Sequence, residues 1–205
     1  MELSELQKDI LLEAFNIGMG RAAATMSAMA HQEIDLSIPS IEIVSSDDGS
    51  SHILTNSGFA AVAQQFSGGF GEAISVLMFP QDRSYELVKL LLGDEAPEDS
   101  IAELEQDAMK EVGNILLNSL IGSLARLSEQ SFHVDLPEFR KGNWKTLSEQ
   151  YASVANPAAD RSHSTLLVLI DFRLRKTSLQ GYLAVMFDVS SLKTLLHSLG
   201  GDLLS

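Results

Sequence analysis

The sequence predicts an α+β fold with a pseudo-twofold internal duplication, in which one continuous, mainly antiparallel sheet carries two long helices on one side. Three observations lead there. An acid–acid–asparagine pattern occurs twice, as DILLEAFN (Asp9 to Asn16) and DAMKEVGN (Asp107 to Asn114), offset by 98 residues. Each copy is followed by a proline at the same distance, with 22 residues between Asn16 and Pro39 and again between Asn114 and Pro137. Each half then runs through strand-like segments into a short helix that ends on glycine, the distance from Phe79 to Gly93 equalling that from Phe187 to Gly201.

The elements follow in order. Ser4-x-x-Gln7 and Ser100-x-x-Glu103 both have capping-box spacing, in which side chains satisfy the first free amides, and they mark two helix starts. At about 100° per residue, Leu6, Ile10, Leu11, Ala14, Phe15, Ile17, Ala22 and Met26 form an apolar set around most of the first helix. That leaves a narrow polar stripe of Asp9, Glu13, Asn16 and Ser27, with Gly20 among them, expected to face water or a partner. In the second helix Ala108, Met109, Val112, Ile115, Leu116, Leu120 and Leu124 are apolar, and Asp107, Glu111, Asn114 and Asn118 form the stripe. EIDLSIPSIEIV and SFHVDLPEF then read as strands. Proline lacks the ladder N–H, so both belong at an edge or a bulge. FAAVAQQFSG and AISVLMF in the first half match STLLVLIDFRLR and GYLAVMF in the second, and PQDRSYELVKLLLGD and DVSSLKTLLHSLGGD are the closing helices. The offset grows from 98 to 108, which places a ten-residue insertion between Pro137 and Phe187, best accommodated in KGNWKTLSEQYASVANPAADRS. The chain is expected to be a single domain over 1–205, built from repeats of about 1–95 and 96–205 with the marked helices side by side.

Composition narrows the function classes. The 205 residues carry 28 acidic and 14 basic side chains, a net charge of −14, with RLRK from Arg173 the one short basic run. Binding a phosphate backbone or an anionic membrane would work against that repulsion, so neither nucleic acid nor membrane is expected as a partner. Without cysteine there is no disulfide framework or thiolate metal site. The acidic start MELSELQKDI does not resemble a targeting segment, and no apolar run approaches the roughly 18 residues of a membrane span. A cytoplasmic location is expected.

Asparagine in a helix interior costs several tenths of a kcal/mol, roughly, relative to alanine, because its amide competes for backbone hydrogen bonds. For one copy of the stripe, a solvated helix face is the plainer explanation. Two copies in matched register, each retaining an asparagine, are harder to explain by packing. Residues at i, i+4 and i+7 lie within about 40° of one another, so acid, acid and amide project together. Three ligands on one straight helix cannot surround calcium or magnesium, which take six or more oxygens. A glycosidase pair needs carboxyl groups on opposite sides of a cleft. A comb that enters another protein's active site suits the residues better, a carboxylate gripping a lysine there and an amide orienting a water, since an amide both donates and accepts without changing charge. His31, His52, His133, His163 and His197 show no zinc spacing and read as surface or turn residues. Gly68, Gly69 and Gly71 lack the lysine and Ser/Thr of a phosphate loop and read as a turn. Trp144, Leu147 and Tyr151 recur at helical spacing and are expected to cover the core locally.

The doubled Asp-x3-Glu-x2-Asn with its downstream proline resembles the signature of the CheC/CheX/FliY phosphatases of bacterial and archaeal chemotaxis. FNIGMGRAAATMSAM and GGFGEAISVLMFP also look like CheC, and two intact motifs are closer to stand-alone two-site CheC than to CheX, whose members typically keep one. An extra switch-complex domain of the FliY kind is not expected. What the resemblance implies is a CheC-like fold and hydrolysis of the aspartyl phosphate on the response regulator CheY. Asn16 and Asn114 would orient the attacking water, Glu13 and Glu111 would pair with the regulator's lysine, and Asp9 and Asp107 would contact the partner at the rim. The Mg2+ would be supplied by the regulator, with no cofactor of the chain's own. An alternative is a non-catalytic adaptor that binds the regulator or the deamidase CheD. Gly20 beside the first comb against Asn118 in the second, and Phe15 against Gly113, suggest that the two sites are unequal.

Overall fold

The computed structural model describes residues 2–45, 58–69, 71–92, 98–155, 163–174 and 178–198. In chain order these are α1 (Glu5–Ala30), β1 (Ile34–Ser45), β2 (Gly58–Gly68), β3 (Gly71–Pro80), α2 (Gln81–Leu92), α3 (Glu98–Ser128), β4 (Phe132–Val134), β5 (Glu138–Asn143), α4 (Trp144–Ala155), β6 (His163–Leu174), β7 (Ser178–Asp188) and α5 (Val189–Ser198). The strands form one antiparallel sheet in the order β1-β6-β7-β3-β2-β4, with β5 pairing further along β2. The fold is α+β with pseudo-twofold character. The central pair β3 and β7 comes one from each half, and the first strand of each half pairs across with the other half.

The strands form where side chains alternate. In β2, Ala60, Val62 and Phe66 join the core on one face while Phe59, Ala61 and Ala63 join a second cluster on the other. The first face carries α1, α2, α3 and α5, whose Leu11, Phe15, Leu87, Leu116, Leu120 and Leu192 pack against Leu77, Val168, Phe172 and Phe187. The second face receives α4. Leu147 and Tyr151 are buried there among Ile74, Met78 and Met186, with Trp144 packed against the cluster. The expected insertion is therefore this helix, and its aromatic spacing covers a sheet face as anticipated; residues 156–162 lie outside the described part of the chain. Gly71, at φ 101°, turns the chain from β2 into β3, since a residue without Cβ enters that region without strain.

The two long helices lie side by side. A Cβ on Gly18 of α1 would come within 2.9 Å of the Ser119 carbonyl oxygen of α3, so the contact depends on the missing side chain. Two expectations about the helices need correction. Leu6 and Ile17, placed in the apolar set of α1, are exposed at 49% and 52%, because the buried stripe of Leu11, Phe15, Gly18, Met19, Ala22, Ala23 and Met26 is narrower than periodicity implied. The Ser4 capping box is present, with Ser4 Oγ accepting from Gln7 N–H and Gln7 Oε1 accepting from Ser4 N–H. Its expected partner at Ser100 is not a cap, since α3 is already helical from Glu98. The glycines expected to end the closing helices, Gly93 and Gly201, lie outside the described residues.

Candidate functional site

The polar stripe of α1 divides in two. Asp9 and Glu13 are exposed, as is Gly20, where an added Cβ would meet nothing within 4 Å. Asn16 is half-buried and turns towards β1. Its Nδ2 donates to the carbonyls of Leu12 (2.9 Å) and Ile38 (3.2 Å), and its Oδ1 accepts from Ile38 N–H (2.9 Å). The reason lies in the strand. Ile34, Leu36 and Ile38 point into the core, and after a bulge between Ser37 and Ser40 the inward set continues at Ile41. A bulge leaves ladder groups unpaired, and a carboxamide presents the same donor and acceptor as a neighbouring peptide. About three helix turns further on, Ser27 repeats the device, with Oγ accepting from Ile34 N–H (3.0 Å) and donating to the Ile34 carbonyl (3.3 Å). Residues eleven apart share a helix face, so Asn16 and Ser27 together fasten α1 to the edge strand. This part of the stripe faces the protein's own sheet, where water or a partner had been expected.

The stripe of α3 is built differently. Asp107, Glu111 and Asn118 are exposed, and Asn114 is half-buried. The Asn118 amide N–H donates to Asn114 Oδ1 (2.7 Å), and among the described residues no other hydrogen bond engages the Asn114 side chain. Ala125, which occupies the place corresponding to Ser27, has no polar side chain to offer. The adjoining edge is interrupted: β4 ends at Val134 and β5 begins at Glu138, with Pro137 in the gap. Phe132 and Val134 pack against the core, and strict alternation would bring Leu136 inward as well; instead it is 87% exposed, whereas its first-half counterpart Ile38 is 4% exposed. The gap is held from β2. Gln64, 3% exposed and on the core face of that strand, donates through Nε2 to the Asp135 carbonyl (2.9 Å), and Asp135 N–H donates to the Gln65 carbonyl (3.0 Å). Sequence reading missed Gln64 and Leu136; a glutamine at an inward position of an apolar strand was the available signal for the first.

Gly113 explains how α3 sits so low on the sheet. A Cβ there would lie 2.4 Å from Val62 Cγ1, so the helix backbone rests directly on β2. The matching residue of α1 is Phe15, fully buried, which fills the space under its helix.

Away from these faces, the turn into α5 holds Asp188. Burial pushes its carboxyl up, but hydrogen bonds from the hydroxyls and backbone N–H groups of Ser190 and Ser191 outweigh that and leave it below the ordinary aspartate range. A pocket of about 90 Å³ between β2, β3 and β4 is lined by Gln65, Glu72, His133 and Asp135 among others, with His133 Nε2 3.5 Å from Asp135 Oδ1. Among the described residues no group of three His, Cys, Asp or Glu side chains is placed to hold a metal ion. None of the described helices is long and apolar enough to cross a membrane.

No family model matches the chain. It is 27% identical over 146 residues to CheC of Bacillus subtilis, a CheY-P phosphatase, in a match spanning 66% of each protein. It is 22% identical over 138 residues to FliY of the same organism, a flagellar motor switch phosphatase, spanning 66% of this chain and 36% of that one. The matched stretches thus fall just short of two thirds of CheC and near one third of FliY. Among solved structures, FliY of Thermotoga maritima superposes with a TM-score of 0.73 over 98% of this chain and 99% of that one, at 20% identity, a likeness of fold.

Proposed function

From the premise that the chain belongs to the CheC/CheX/FliY family of chemotaxis proteins, we propose that it is a protein phosphatase acting in trans on the aspartyl phosphate of a CheY-type response regulator. The observation that carries this reading is the pair of acid–acid–asparagine helix faces on one side of a single sheet, with Glu13 and Glu111 exposed and each asparagine one turn away.

The chemistry asks little of the chain beyond placement. Phosphoryl transfer is accelerated mainly by positioning and by stabilising charge. A water held in line with the phosphorus forms one P–O bond as the bond to the aspartyl carboxylate breaks; the carboxylate leaves and the water protons depart with phosphate or solvent. An asparagine amide accepts a hydrogen bond from that water through Oδ1 and donates to a phosphoryl oxygen through Nδ2. Glu13 or Glu111 would form a charge-assisted pair with the regulator's lysine, fixing the approach, and Asp9 or Asp107 would add rim contacts. Mg2+ and the phosphoaspartate would come with the regulator. The net charge of −14 favours a basic docking patch on the partner.

The test is release of phosphate from a phosphorylated CheY-type regulator with and without the protein. Faster decay is expected, and a decay rate unchanged by a protein that is folded would sink the proposal. Binding of the regulator, or of a CheD-type partner, with no accelerated decay would assign the chain to an adaptor role.

A further inference from the structure

Resting on the phosphatase reading above, we infer that the two faces have divided the labour: the second, on α3, is the one that acts on the partner, while Asn16 serves as a strand clamp. The inference comes from counting what each amide has left to give. A carboxamide has two N–H donors and two acceptor lone pairs. Asn16 spends both donors and one lone pair on Leu12 and Ile38, at 2.9 to 3.2 Å. To bind a water and a phosphoryl oxygen it would have to leave the N–H and carbonyl of Ile38 without partners, at a bulge where Pro39 supplies no donor. Each polar group so abandoned would carry an unmet desolvation cost. Asn114 spends one lone pair on Asn118 and keeps both donors, so it meets a partner without breaking a bond to its own sheet.

The second half reaches this state by handing the clamp to another residue. Gln64 holds the interrupted edge through the Asp135 carbonyl. Val62, two residues earlier on the same face of β2, is the residue against which Gly113 rests. Two strand residues span about 7 Å, so the Asp135 to Pro137 gap lies close beside the Asn114 turn of α3. The same gap turns Leu136 outward to 87% exposure. The second face thus carries an amide with no bond to its own sheet, an exposed carboxylate at Glu111 and, in the adjoining gap, an exposed leucine, whereas the first face ties its equally half-buried amide to β1 and buries Ile38. Gln64 is a positioning residue in this arrangement: it acts through the gap and touches no reacting atom. Leu136 is a docking residue.

Two measurements separate this inference from the reading it rests on. The first needs no regulator: hydrogen exchange at the Ile38 amide should accelerate at least about tenfold in Asn16→Ala, which exposes an amide formerly held by a side chain, and less so in Asn16→Asp, which keeps the acceptor for the Ile38 N–H but loses the donors to the Leu12 and Ile38 carbonyls. Slow exchange in a folded Asn16→Ala protein would overturn the clamp. The second follows decay of a phosphorylated CheY-type regulator. If the unaltered protein does not accelerate decay, the phosphatase reading fails and the exchange result still stands or falls alone. If it does, Asn114→Ala should remove most of the acceleration, Asn16→Asp should retain more than about half of it, and Leu136→Ser should weaken binding of a regulator held in its phosphorylated form by beryllofluoride while leaving the saturating rate near that of the unaltered protein. Equal losses from Asn16→Asp and Asn114→Ala, or full activity in Asn114→Ala, would overturn the division of labour.

Discussion

The junction of α1 with β1 and that of α3 with β4 and β5 start from the same pattern of residues and end as different structures. In the first, the strand is continuous, its bulge is capped by Asn16, and Ser27 binds it again at Ile34. In the second, the strand is broken, an alanine stands where the serine would be, and the asparagine is left to a neighbour on its own helix. Spacing along a helix decides which side chains share a face. Whether that face meets water or the protein's own backbone is decided by the strand beside it, and above all by whether that strand has unpaired peptide groups to satisfy.

The contrast can be broken or sharpened one position at a time. The largest effects are expected beneath the helices, where Phe15 and Gly113 occupy matched places. Phe15→Ala would empty a fully buried site under α1 and cost about 3–5 kcal/mol. Gly113→Ala would force α3 off Val62 and cost about 1–3 kcal/mol. Denaturant titration of both variants checks the order, and a neutral Gly113→Ala would show that the close seat of α3 is not required. Next is the start of the closing helices, where Asp188 caps α5 and Pro80 stands before α2. Asp188→Ala should cost about 1–2 kcal/mol at neutral pH. Since the folded state lowers the Asp188 pKa, its contribution is present above the unfolded pKa and lost as pH falls through the folded one, so the variant and the unaltered protein should begin to converge in stability near about pH 4 and meet only below the lowered folded pKa. The smallest effect belongs to Ser27→Ala, about 1 kcal/mol from the lost bonds to Ile34, with no matching loss for Ala125→Gly beyond the roughly 1 kcal/mol of helix propensity. If Ser27→Ala were silent, the zipper between α1 and β1 would reduce to Asn16 alone.

Much of the fold could be read before the structure. The segments AISVLMF and GYLAVMF emerge as the paired strands β3 and β7, and the matched prolines mark the two sheet edges, because alternation and a missing N–H are local signals. The side-by-side helices also follow. Local signals fail where a long-range contact decides. Ile17 reads as core by period but lies on the exposed side of α1, since one sheet face can cover only a limited arc of a helix. Ser100 has cap spacing, yet helix propensity carries α3 back to Glu98. SFHVDLPEF reads as one strand, and it breaks because Gln64 draws Asp135 away from the alternation, a pairing across 71 positions. For the candidate site, the six motif residues were legible as a set, but their division into an occupied and an open amide was not: it depends on Ile38 and Asn118, which no spacing rule links to function.

The crossed pairing of the edge strands bears on how the chain comes together. Ile34 sits opposite Leu174 and Ser45 opposite Ser164, while Gly58 sits opposite Asn143, so neither half can complete its sheet from its own segments. Hydrophobic collapse of the first 100 or so residues, as they leave a ribosome, would leave β1 without a neighbour and β2 with one edge bare. Chains dominated by such distant pairings close large loops before they gain contacts and fold slowly. Separately produced halves should therefore be poorly folded apart and regain a common sheet when mixed, each lending the other its outer strand.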